Sequence, residues 1–116
     1  MIDTAAVDLD AVDWPEMQPY PDEKILAGSP AAATVLLGDT GACQMGLWRV
    51  TTGSFTTDHV GYIEFIHVLS GAGRLVRDNG EVTELRPGTT VFMETGWKGR
   101  WEVDEPLAKV FTILQQ

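Results

Sequence analysis

From residue 33 onward, apolar and polar positions alternate in short runs, each closed by glycine, proline or small polar residues. "ATVLLG" ends in the turn "GDTG", "ACQMGLWRV" stops at "TTGSF", and "YIEFIHVLSG" and "GRLVRDNGEVTEL" follow. "RPGTTVFMETG", "GRWEVDEP" and "LAKVFTIL" complete the series. Punctuation recurs at about 8–12 residues and no run keeps a helical apolar period, a pattern that predicts an all-β sandwich or barrel. Asn79-Gly80 between two such runs predicts a tight hairpin with a type I′ turn, which needs positive φ at both central residues.

Side chains alternate across a strand, so Tyr62, Glu64, Ile66 and Val68 share one face of the run at 62–69, while Ile63, Phe65, His67 and Leu69 share the other. Both faces are largely apolar. The second face therefore needs cover from the N-terminal arm, another sheet or a second subunit, and a subunit contact is the preferred expectation. Residues 13–30, "DWPEMQPYPDEKILAGSP", hold four of the six prolines, which excludes a continuous helix or central strand there. The predicted organisation is an acidic, partly extended arm over residues 1–27, anchored by Trp14 or Tyr20, and a barrel domain over residues 28–116.

Composition narrows the partners. A chain of 116 residues and 12.7 kDa is one domain with room for a hydrophobic core. No apolar run nears the ~20 residues that span a bilayer, and the acidic start "MIDTAAVDLDAVDWPEM" resembles neither a signal nor a transit peptide. Cys43 is the only cysteine, so an internal disulfide is excluded and a reducing, cytoplasmic setting is expected. Net charge is -9, concentrated at the start: residues 1–24 hold seven acids against Lys24 alone. Phosphate backbones and anionic membranes are thereby disfavoured, leaving neither nucleic acid nor membrane as an expected partner.

The segment "GSF…GYIEFIHVLSGAGRLVRDNGEVTELRPGTTVFMETGWKGRWEV", with "GLWRVTTGSF" before it and "KVFTIL" after it, resembles the two-motif core of the cupins, small barrels of jelly-roll (RmlC-like) type. It is most similar to the single-domain branch related to the cupin domain of (S)-ureidoglycine aminohydrolase. The resemblance covers residues about 28 to 114 and implies an antiparallel barrel of six to eight strands; the homodimer is expected from the two apolar faces of 62–69. It also implies a divalent metal held by three histidines and a glutamate. Glu64, seven residues before Gly71, falls on the glutamate position. The chain has two histidines in all, and every register of the His-x-His pair yields one at most. The motif-two histidine falls on Gly99, and Thr89 stands where aspartate is usual.

No tightly held metal cofactor is therefore expected, although Asp58, His59 and Glu64 leave a weakly bound divalent ion open. His67 lies an odd number of residues from Glu64 and points to the other face of a regular strand. Glu64 on an apolar face demands a partner: an arginine (Arg49, Arg74 or Arg100), a tyrosine hydroxyl, water, or a ligand at the barrel mouth. The candidate binding residues are His59, Tyr62, Glu64, Trp48 and Trp101, and Glu64 is the candidate catalytic acid/base. Cys43 reads as a small buried residue. Three functions remain. The first is a small-molecule-binding cupin without the full metal site. The second is an enzyme of ureidoglycine aminohydrolase type on a small nitrogen-containing or sugar-like metabolite. The third is a non-catalytic scaffold.

Overall fold

The structure is a computed structural model and describes residues 4–116. Nine strands are present among the described residues: β1 (Gln18–Pro19), β2 (Ile25–Gly28), β3 (Ala31–Asp39), β4 (Cys43–Val50), β5 (Gly53–Asp58), β6 (Tyr62–Arg77), β7 (Val82–Leu85), β8 (Thr90–Met93) and β9 (Lys98–Gln115). The only helical element among the described residues is a single 3₁₀ turn at Asp22–Lys24. Every pairing is antiparallel, and the strands form one curled sheet of the cupin jelly-roll type.

The strand count exceeds the expected six to eight because the proline-rich arm joins the sheet. β1 pairs with β3 alone and β2 with β5 alone, edge positions where missing proline N–H groups cost no ladder bond. Elsewhere, runs that looked separate are fused. β6 passes through "LSGAGRL" unbroken, and its register shifts between Val68 and Gly73 absorb the glycines as bulges that bend the strand. Gly71 sits at φ +89, and a Cβ there would collide with the Pro106 carbonyl, so this position admits only glycine. β9 likewise runs through "DEP"; its first half pairs with β5 and its second with β4, while β6 lines it on the other side.

The hairpin at Asn79-Gly80 forms, but not with a type I′ turn. Gly80 has φ +93, whereas no residue other than glycine has positive φ among the described residues. Gly80 N–H donates to the Arg77 carbonyl (2.8 Å) and Arg77 N–H to Glu81 (2.8 Å), the pattern of a three-residue loop ending in a left-handed glycine. Asn79 accepts the Glu81 N–H through its side-chain oxygen (2.9 Å) and so keeps ordinary φ.

The core is the inner face of this sheet, with Phe55, Ile66, Val68, Leu75, Met93 and Leu107 each at most 2% exposed. Each contributes about 1.5–3 kcal/mol on burial. β6 alternates as its sequence predicts: Glu64, Ile66 and Val68 are buried, while Phe65 is exposed and His67 half-buried, its Nδ1 2.9 Å from Thr90 Oγ1. The arm covers part of the outer face. Trp14 lies beneath Arg49, with the guanidinium 4.6 Å from the ring, and arm residues flank the buried Ala33 and Ala108. The remaining outer face leaves Met45, Phe65, Phe92, Val110 and Leu114 exposed. No helix is long and apolar enough to cross a membrane among the described residues.

Candidate functional site

The inward faces of β3, β4, β5, β6 and β9 enclose a cavity of about 380 Å³. Its floor is set by strand register. Along β9, Leu107, Lys109, Phe111 and Ile113 alternate inward, and Lys109 stands directly opposite Trp48 of β4. Glu64 projects from β6 into the same space. The Lys109 ammonium donates to Glu64 Oε2 at 2.9 Å, and both side chains are buried. The same ammonium lies 4.3 Å from the Trp48 ring centre and 4.7 Å from that of Trp101. Two aromatic faces and a carboxylate thus surround one cation.

His59 stands at the edge of the floor, just after β5. The loop is clamped to the β8–β9 turn, since His59 N–H donates to Trp97 O (2.9 Å) and Gly96 N–H to His59 O (2.8 Å). The ring is 1% exposed, stacked on Tyr62 (4.8 Å, 23°) and tilted against Trp97 (5.6 Å). Nε2 is 3.7 Å from Glu64 Oε1, beyond hydrogen-bond reach, and Nδ1 has no hydrogen-bond partner among the described residues. Burial, assisted by Lys109, holds the imidazole pKa below its usual value despite the opposing pull of Glu64, Asp58 and Glu94. A neutral imidazole with unfilled hydrogen-bonding capacity results.

The wall is aromatic. Tyr20, carried in by the arm, stacks on Phe55 at 4.0 Å; Phe55 lies parallel to Trp101 at 6.1 Å, and Trp101 tilts against Trp48 at 5.2 Å. Burial, and secondarily the Glu64 charge, raises the Tyr20 phenol well above the usual tyrosine range, so its hydroxyl remains a donor. Thr34, Gln44, Thr56 and Thr57 add neutral polar groups, and the exposed Lys24 lines the same cavity.

Of the sequence-predicted residues, Glu64, His59, Trp48 and Trp101 are brought together here. Tyr62 backs His59 but lines an adjoining cleft with Asp58 and Lys98. None of the arginines expected beside Glu64 reaches it. Arg49 packs on Trp14, Arg74 pairs with Glu84, Glu102 and Asp104, and Arg100 pairs with Glu102. These three side chains leave the outer face of the sheet, which is why lysine from β9 supplies the partner instead. Cys43 is half-buried rather than fully buried. Lys109, Tyr20 and Phe55 were not anticipated at the site. The signal for Lys109 was present in "LAKVFTIL", where one lysine interrupts an inward face of leucine, phenylalanine and isoleucine.

The residues do not fit the cupin metal. The site offers one imidazole and one carboxylate, and that carboxylate is already paired with an ammonium. Repulsion between the ammonium and a divalent ion about 4 Å away, roughly 8 kcal/mol at an effective dielectric constant near 20, further opposes a metal here. Asp58 faces the neighbouring cleft, and no cluster of three or more His, Cys, Asp or Glu side chains able to hold a metal occurs among the described residues.

A sequence model of the EutQ-like cupin domain matches residues 37–111. No curated protein matches the chain. Among solved structures, Clostridium difficile EutQ is similar at 17% identity and TM-score 0.65, over 74% of this chain and 64% of that one. A DUF861-family protein of unknown function from Pseudomonas syringae pv. tomato aligns at 20% identity and TM-score 0.78, over 89% of this chain and 45% of that one. Ectoine synthase from P. lautus aligns at 15% identity and TM-score 0.66, over 79% and 68%. This chain thus spans less than two-thirds of the first two, and identities this low establish the fold alone.

Proposed function

This chain belongs to the EutQ-like cupin domain family, and from that premise we propose that it is a small-molecule-binding cupin whose ligand sits in the barrel cavity without a chelated metal. The observation that carries the proposal is the 380 Å³ cavity floored by three buried polar side chains, Glu64, Lys109 and His59, one of which has an unpartnered nitrogen. Buried polar groups are ordinarily satisfied, and an open one beside a cavity marks the place of a ligand group. Glu64 Oε1, unused by Lys109, accepts a donor from the ligand; His59 offers a second hydrogen bond, and Trp48 and Trp101 supply a flat apolar wall. Tyr62 acts behind His59 by fixing its ring. Together these suit a small polar molecule with a planar or sugar-like face.

The test is a thermal-shift screen of ureides, amino acids and sugars. A ligand at 100 times its Kd stabilises the native state by about 2.7 kcal/mol. A hit that raises the melting temperature of the wild type and not of Glu64→Gln supports the reading. A screen without hits, or a hit indifferent to Glu64→Gln, removes it.

An enzyme on a small nitrogen-containing metabolite is the second reading, supported by a neutral imidazole 3.7 Å from a carboxylate at one cavity floor and by the resemblance to the ureidoglycine aminohydrolase branch. In that case Glu64 is the acid/base, and turnover unaffected by Glu64→Gln excludes it. The cavity weighs against a pure scaffold. The exposed outer face of β6, β8 and β9 supports a homodimer, and the lone half-buried Cys43 is in keeping with a cytoplasmic setting.

A further inference from the structure

We propose that Glu64, Trp48 and Trp101 form an ammonium receptor which the chain fills with its own Lys109, so that a tethered organic cation stands where a cupin holds its metal. Two aromatic faces and a carboxylate around one cation are the surroundings that recognise ammonium ligands in general. Here the cation approaches to 2.9 Å of the carboxylate and 4.3 and 4.7 Å of the two rings, with Lys109 5% exposed. Glu64 is the residue that the cupin motif assigns to the metal, so the two cations compete for one carboxylate, and only the ammonium has the aromatic faces it needs.

Strand register explains why the lysine prevails. Lys109 and Trp48 are direct partners on neighbouring strands, and Glu64 lies across β9 on the other side, paired to Ile113. Folding the sheet delivers the ammonium to its receptor as an intramolecular event, at an effective concentration set by the fold and not by the ions in solution. The chemical consequence concerns any ligand of the cavity. Lys109 offers N–H donors of fixed position in place of open coordination sites, so a ligand is held by hydrogen bonds and stacking, and a chelating group gains nothing. This holds whichever molecule the cavity takes, and it stands or falls separately from the ligand screen.

The experiment empties the receptor and refills it. Lys109→Ala is melted in increasing methylammonium chloride, with sodium chloride as the ionic-strength control, beside the wild type and the double variant Lys109→Ala/Glu64→Gln. The expected result is a saturable rise confined to Lys109→Ala, about 5 °C at tenfold excess over the methylammonium Kd. No rise in Lys109→Ala, or an equal rise in all three proteins, overturns the proposal. Should Lys109→Ala fail to fold, a titration of wild-type protein with Co²⁺ decides. Absence of stoichiometric uptake upholds the proposal, and stoichiometric uptake that is lost in Glu64→Gln overturns it.

Discussion

Replacing Lys109 by methionine keeps an apolar stem of similar length and removes only the charge. Glu64 is then left 7% exposed inside the barrel, with His59 Nε2 3.7 Å away and no cation in contact. The attraction lost across 2.9 Å is about 6 kcal/mol at an effective dielectric constant of 20. The two cation–π contacts add about 0.5–2 kcal/mol each. The desolvation that the ion pair suffers in the wild type offsets much of this, and removing one partner of a buried pair costs about 3–5 kcal/mol. For a domain of this size that corresponds to a fall in melting temperature of roughly 10–20 °C. Urea unfolding of the wild type, Lys109→Met, Glu64→Gln and the double variant gives the coupling energy. We expect Lys109→Met to be the most damaging and the double variant to recover about 1–3 kcal/mol of the summed losses. If Lys109→Met costs under about 1 kcal/mol, or the two losses add within about 0.5 kcal/mol, the pair does not organise the floor and the reasoning fails.

The remaining expectations are simpler. Because burial lowers the His59 pKa below the usual histidine value of 6.5, the unfolded chain binds more protons than the folded one between the folded value and about pH 6.5. Stability therefore declines as pH falls through that window, and His59→Gln removes the decline; urea midpoints at pH 7.5, 6.5 and 5.5 measure it. Glu94 and Glu102, held below the usual carboxylate range by hydrogen bonds, lose their contribution only at lower pH, so the two effects separate. Phe55→Ala removes a ring 2% exposed that stacks on Tyr20. It should cost about 3–5 kcal/mol and release the arm, seen as faster proteolysis ahead of residue 25. Phe65→Glu on the open outer face should leave the fold intact and convert a dimer to monomer in light scattering; an unchanged mass excludes that face as the contact.

The fold was legible because its signals are local. Alternation, glycine and proline spacing, and the Asn79-Gly80 pair suffice to place most strands, and the odd step from Glu64 to His67 correctly separates those two side chains. What escaped depends on distant registers. The union of two runs into β6 or β9 rests on bulges between Val68 and Gly73 and on continuous ladders to partners far along the chain, neither of which leaves a composition signal. Glu64 announced its need for a cation, but the choice among five arginines and three lysines belongs to the pairing of β6, β4 and β9. Arg49, Arg74 and Arg100, expected as partners, occupy outward positions and could not turn inward. Tyr20 enters the cavity wall only because a proline-rich arm folds back onto β3, a tertiary event invisible to a reading of strand periodicity. The turn at Gly80 differs from expectation for a local reason, since the Asn79 side chain bonds the next-but-one N–H and relieves it of a left-handed backbone.

The central claim is that this cupin barrel holds a ligand around an internal lysine–glutamate pair and not around a metal ion. High-resolution diffraction from crystals of protein purified without chelator, with anomalous data collected above the zinc edge, tests it most directly. The account predicts Lys109 within hydrogen-bond distance of Glu64, no anomalous peak beside them, and organic density against Trp48 and Trp101 once a screen hit is soaked in. A strong anomalous peak coordinated by Glu64 and His59, with Lys109 turned away, contradicts it.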